Sequence, residues 1–143
     1  MLNDIIMLQV TWLYNDEMSV LSNIHTDFCG YGISSMNTAL TLVSGRPYGG
    51  IGILWRKSLD KSGVVVKYEN ESRILGLEVR DNAGCRHLFL NVCFLYEHSN
   101  YYDEYMKLCN NIDNCESPYV YILGEFKLNV LRINSVFADK LKK

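Results

Sequence analysis

Glu125 and Lys127 stand two residues apart just beyond residues 119–123, an apolar run reading Tyr-Val-Tyr-Ile-Leu. The run has no polar alternation, so the reading is a core strand covered on both faces, which Gly124 then ends abruptly. A carboxylate and an ammonium at a strand's carboxyl end are a placement from which sites are built. The competing reading is a pair of solvated loop charges behind a strand-ending glycine. If the segment stays extended, the two charges share a side and pair with each other.

The other chemistry-bearing residues are scattered. Cys29, Cys85, Cys93, Cys109 and Cys115 are odd in number and include no Cys-x-x-Cys pair. That argues against a disulfide framework and a zinc site, and the five read as reduced core residues. His25, His87 and His98 are too dispersed for a metal motif. Asn70-Glu71-Ser72 matches a glycosylation acceptor, a match with little meaning in a cytosolic chain. The glycine-rich stretch 44–50 precedes a strand, whereas phosphate-cradling loops follow one and open a helix, so it reads as a tight turn.

The elements that must position these groups fit in one domain. With 143 residues, 48% of them hydrophobic, the chain can bury one core. Fourteen Lys and Arg against sixteen Asp and Glu leave a net charge of −2, so no basic footprint announces a nucleic-acid partner. No apolar run approaches the ~20 residues that span a bilayer, and Asp4 lies where a signal peptide would be basic. The expectation is a soluble, intracellular protein of cytoplasm or nucleus, without a membrane partner.

In chain order, residues 5–10 read as a largely buried strand. Asp16 caps a short helix to Ile24, with Met18, Leu21 and Ile24 on its apolar face. Strands follow at 28–36, 51–57, 64–68 and 74–80. In the last of these, Leu75, Leu77 and Val79 alternate with Gly76, Glu78 and Arg80, as in a sheet with one wet face. Asp81-Asn82-Ala83-Gly84 turns the chain into a partner strand at 85–95, with Leu88, Leu90, Val92 and Phe94 on one side and Phe89, Asn91, Cys93 and Leu95 on the other. Ser99 or Asn100 caps a helix whose stripe is Tyr102, Tyr105, Met106, Cys109 and Ile112. A terminal helix starts near Ser135.

The segments Asp4-Ile5-Ile6-Met7-Leu8-Gln9-Val10-Thr11-Trp12, Arg46-Pro47-Tyr48-Gly49-Gly50-Ile51, Ser72-Arg73-Ile74-Leu75, Asn91-Val92-Cys93-Phe94-Leu95-Tyr96 and Leu123-Gly124-Glu125-Phe126-Lys127, with 135–141 behind them, resemble the endonuclease/exonuclease/phosphatase family. Within it the chain is most similar to the endonuclease domain of non-LTR, LINE-type retrotransposons. The resemblance implies an α+β fold: a partial two-layer sandwich of mostly antiparallel sheets flanked by helices. It also implies a magnesium-dependent phosphodiesterase acting on DNA, in which a hard cation stabilises charge on the phosphate while a carboxylate orients and deprotonates water. Residues 1–143 would then be a single partial domain, without the family's first strand and its asparagine and without its distal Ser-Asp-His segment.

Against the family pattern, Val10 replaces the glutamate that binds the metal, and Val10 cannot ligate. Glu125 replaces an aspartate, moving the carboxylate by about an ångström, an error that can lower a rate ~10²-fold. Lys127 replaces an asparagine and puts an ammonium roughly where the cation would stand. Cys93 replaces the catalytic tyrosine and is a weaker donor; as a nucleophile it would need a lowered pKa and a neighbouring base, and none is evident. Tyr96, three residues along the strand, faces the other way. With Val10 at the family's glutamate position no metal ligand is retained, and of the positions expected to do chemistry only Glu125 keeps a comparable functional group, so magnesium is not expected to bind tightly. The expectation is an impaired or inactive remnant with weak or no DNA contact. The alternatives are a weakly active magnesium nuclease using Glu125, or a non-catalytic interaction domain that self-associates through exposed sheet edges.

Overall fold

The computed structural model describes residues 4–36, 48–68, 73–94 and 101–126, with the side chains of 101, 102 and 126 excepted. The expected terminal helix, the helix caps Ser99 and Asn100, residues 44–47 of the turn, Lys127, His98 and Asn70-Glu71-Ser72 lie outside the described residues.

Among the described residues seven strands form two sheets, and one α-helix packs outside them. Strands β1 (Ile5–Gln9), β2 (Phe28–Ile33) and β3 (Ile51–Arg56) make an antiparallel sheet in the order β1-β3-β2. Strands β4 (Val64–Lys67), β5 (Ile74–Arg80), β6 (Arg86–Phe94) and β7 (Tyr119–Phe126) make the second, in that order. The pairs β4–β5 and β5–β6 are antiparallel, and β6–β7 is parallel. A parallel neighbour requires a crossover, and α1 (Tyr101–Asp113) supplies it.

Period-two side chains explain the layers. Ile51 and Ile53 of β3 meet Leu75, Leu77 and Val79 of β5 and Cys93 of β6 in the buried inter-sheet core. On the far side of the second sheet, Ile74, Leu88, Leu90, Val92 and Phe94 pack against Tyr105 and Leu108 of α1. An ion pair between Arg73 and Glu104, 2.9 Å apart, ties the helix to the start of β5. On the far side of the first sheet, a 3₁₀ helix at Asn15–Asn23 sets Met18 and Leu21 against Leu54. Gly30 admits that helix, since a Cβ there would overlap the Leu21 carbonyl. The result is a two-layer sandwich with a helical element outside each sheet. Among the described residues no helix is long and apolar enough to cross a membrane.

Several expectations need correction. The 119–123 run is not covered on both faces: β7 is the margin of its sheet among the described residues, and Tyr119 and Leu123 are each 49% exposed. An apolar run reads alike with one neighbour or two, because the pattern cannot show what lies beyond it. Strand β1 is half-buried, since it too lies at a margin. The wet face of β5 is confined to its end, because α1 covers Ile74 at the start. The first helix is 3₁₀. It begins after Tyr14, whose amide donates to the Glu17 carboxylate at 3.0 Å, so Asp16 is not its cap. Ile24, past its last turn, is exposed.

Candidate functional site

The site is built where the ends of β1, β6 and β7 meet. In the parallel ladder Cys93 stands directly opposite Glu125, Val92 opposite Gly124 and Asn91 opposite Leu123. Adjacent strands lie about 4.8 Å apart, so partner side chains on one face are neighbours. Cys93 is buried and points into the inter-sheet core. Glu125 is half-buried beside it, inside the strand rather than in a loop past it. Gly124 therefore does not end β7. It is a close approach, where any Cβ would overlap the Val92 carbonyl oxygen and press on the Gln9 amide nitrogen.

Val10, just past the end of β1, packs against the same inter-sheet cluster, of which Cys93 is a member. The fold thus gathers Val10, Cys93 and Glu125, which are 83 and 32 positions apart in sequence. Val10 has φ +52° and Trp12 φ +57°, left-handed values that are uncommon for a bulky or β-branched residue and cost of order 1–3 kcal/mol each. The bend is held by the Thr11 amide donating to Gly50 (3.1 Å) and the Trp12 amide to Gly49 (2.9 Å). The Thr11 hydroxyl is buried and finds no hydrogen-bond partner among the described residues.

Asn91, read from the sequence only as lining one side of β6, and Gln9, read only as part of the first strand and its resemblance segment, hold this corner together. The fully buried Asn91 amide donates to the Leu8 carbonyl of β1 and to the Gly52 carbonyl of β3, both at 2.9 Å. The Gln9 amide donates to Asn91 Oδ1 and to the Val92 carbonyl, both at 3.2 Å. The available signal was a lone amide in an otherwise apolar inward series on β6, since a buried polar group must be satisfied.

The remaining candidates are not gathered. His87 lies six residues before Cys93 on β6, roughly 20 Å along the strand. Its Nε2 is 3.2 Å from Asp81 and its Nδ1 3.3 Å from the Tyr121 hydroxyl. That hydrogen bond, together with the Cys85 amide, holds the Asp81 carboxyl below its usual pKa. Burial, then the Asp60 carboxylate beside it, pushes the Cys29 thiol up, away from a reactive thiolate.

Magnesium takes oxygen ligands in near-octahedral geometry. The three positions gathered here offer an isopropyl group, a thiol and one carboxylate, so the donor set does not fit a hard cation. Among the described residues no group of three or more His, Cys, Asp and Glu is placed to hold a metal.

Neither a protein-family model nor a curated protein sequence matches the chain. Among solved structures it is similar to the human Nocturnin catalytic domain with bound sulfate anion, with a TM-score of 0.54 at 12% identity. The chain has the deoxyribonuclease-like sandwich fold. The match covers 88% of this chain and 52% of that domain, so the chain spans about half the length of its structural neighbour. At this identity the likeness concerns architecture alone, and it agrees with the α+β sandwich that the resemblance implies.

Proposed function

We propose that the chain derives from the endonuclease domain of a non-LTR retrotransposon and no longer hydrolyses phosphodiester bonds at a useful rate. The observation that carries this reading is the convergence of Val10, Cys93 and Glu125 at one corner with a single hard oxygen donor among them. Removing several members of a catalytic constellation is strongly non-additive, and a few losses abolish nearly all acceleration. Lys127, two residues beyond Glu125 in the sequence, takes the place of the family's asparagine, and a positive charge there would offset the Glu125 carboxylate without magnesium. DNA contact is weak or absent, in keeping with the net charge of −2, and the protein is soluble in cytoplasm or nucleus.

The test is a supercoiled-plasmid nicking assay with magnesium, beside calorimetric titration of magnesium into the protein. The expected outcome is no nicking above buffer and no magnesium binding tighter than millimolar. Magnesium-dependent nicking that disappears in Glu125→Ala would overturn the proposal. It would support the second reading, a weakly active nuclease, which the placement of Glu125 inside a paired strand favours.

A further inference from the structure

On the helix side of the second sheet the structure holds a half-enclosed cavity of about 320 Å³. Its floor is Glu78 of β5 and Leu88 of β6, which stand directly opposite each other in the ladder. Lys67 and Tyr68, at the end of β4, line it on one side, and Arg86 of β6 and Cys115, just past α1, complete the lining used here. Leu88 lies five residues before Cys93, roughly 17 Å along β6, and packs toward α1 whereas Cys93 points between the sheets. The cavity is therefore separate from the corner that holds Val10, Cys93 and Glu125.

Two opposite charges line this cavity without pairing with each other. Lys67 stands opposite Gly76, which puts it on the diagonal from Glu78, with backbones about 7–8 Å apart. The Ser117 hydroxyl donates to the Glu78 carboxylate at 2.8 Å, while the Lys67 ammonium has no hydrogen bond or ion pair among the described residues. Arg86 is engaged elsewhere: its guanidinium donates to the Glu116 carboxylate at 2.7 Å and to the Glu116 carbonyl at 3.0 Å. Beside the two charges the lining is apolar, from Leu88 and the Tyr68 ring. Tyr68 has φ +60°, a left-handed value that is costly for a bulky residue and that recurs where a ligand is clamped. Its hydroxyl donates to the Asn111 carbonyl at 3.0 Å, which pins the ring against the end of α1. Gly76 leaves the space this needs, since a Cβ there would press on Lys67 and on the Tyr68 ring, both at 3.0 Å.

We propose that this cavity binds a compact zwitterion, an α-amino acid with an apolar side chain. Its carboxylate meets the Lys67 ammonium, its ammonium meets the Glu78 carboxylate, and its side chain lies on Leu88 beside the Tyr68 ring. A simple anion would gain Lys67 and be repelled by Glu78, and a simple cation would meet the reverse. A ligand carrying both charges offsets both and adds no net charge to a half-buried site. The carbonyl end of α1, beside Cys115, adds to the preference for an ammonium on the Glu78 side. The volume lies at the low end of the ~300–1,000 Å³ of small-molecule sites, which suits one amino acid rather than a nucleotide or a peptide. The proposal is independent of whether the chain cuts DNA.

Titration of the full chain with three probes, followed by ¹H–¹⁵N correlation spectra, tests this. The probes are L-leucine, L-leucinamide, which lacks the carboxylate, and 4-methylpentanoate, which lacks the ammonium. L-leucine is expected to bind saturably and to move the amide signals of Lys67, Glu78 and Cys115. Each analogue is expected to bind about tenfold more weakly or worse, the effect of losing one charged hydrogen bond. In Lys67→Met, L-leucine should weaken by about the same factor while L-leucinamide is unchanged. In Glu78→Gln, which keeps an acceptor for Ser117, L-leucine should weaken while 4-methylpentanoate is unchanged. Far-UV circular dichroism checks that both variants fold, and Lys67→Met with the three probes decides the question if Glu78→Gln does not. That pattern supports the proposal. It is overturned by no saturable L-leucine binding up to about 20 mM, by analogues within about twofold of L-leucine, or by a Lys67→Met that weakens L-leucine and L-leucinamide alike.

Discussion

The Asn91 side-chain amide of β6 donates to the Gly52 carbonyl of β3 at 2.9 Å, across the gap between the two sheets. The same nitrogen donates to the Leu8 carbonyl of β1. One buried amide thus joins three strands from both layers beside the candidate site, and it orients Gln9 through its own oxygen.

Asn91→Ala is expected to strand two carbonyls that the amide now satisfies and to leave a small void. At about 1–3 kcal/mol for each unsatisfied buried group, the loss is roughly 2–6 kcal/mol. Urea denaturation with the m-value held constant measures it. A change below ~1 kcal/mol would show that the clip contributes little.

Gly124→Ala is expected to be at least as damaging, although alanine is the smallest side chain that could be added. The added methyl meets the Val92 carbonyl, a backbone atom that cannot swing away. The strands must part, and a loss of roughly 3 kcal/mol or more follows, with faster amide exchange on β6 and β7. Unchanged exchange would mean the pair tolerates the methyl.

Phe94→Ala opens the core between the second sheet and α1, where Phe94 is fully buried with Leu90, Tyr105 and Leu108. A loss of about 3–5 kcal/mol is expected. Trp12→Ala, at an exposed side chain with a left-handed backbone, is expected to change stability far less, which thermal denaturation of both variants would show.

Acid should weaken the β5–β6 hairpin through Asp81. The hydrogen bond with His87 and the Cys85 amide hold this carboxyl below its unfolded value, so the folded protein binds fewer protons there. The stabilisation is present above the unfolded pKa of about 3.9 and is lost as pH falls through the lower folded value. Urea midpoints at pH 6 and pH 3 should therefore differ less in Asp81→Ala than in the wild type. Equal differences would remove Asp81 from the acid response.

Thiol reactivity should follow exposure. Cys85 is exposed and Cys93 buried, so a maleimide should label Cys85 first and Cys93 only on unfolding. Rapid labelling of Cys93 in the folded protein, read by peptide mass mapping, would show that the corner of the site opens readily.

Much of the architecture could be read in the residues themselves, because period-two patterns depend on local geometry. Strand β5 starts and ends where the alternation does, and the two sides of β6 divide as Leu88, Leu90, Val92 and Phe94 against Phe89, Asn91 and Cys93. The turn at 81–84 closes the hairpin through Asp81, whose carboxylate accepts the Ala83 and Cys85 amides. The chemistry missing at Val10 was equally plain, since no fold can make an isopropyl group a ligand. Tertiary structure alone decided what lies beyond each strand. Among the described residues the 119–123 run stands at a sheet margin, because burial depends on neighbours distant in sequence. Val10, Cys93 and Glu125 share a corner, and Asn91 became its clip, through pairings across 32 to 83 positions that no local pattern encodes.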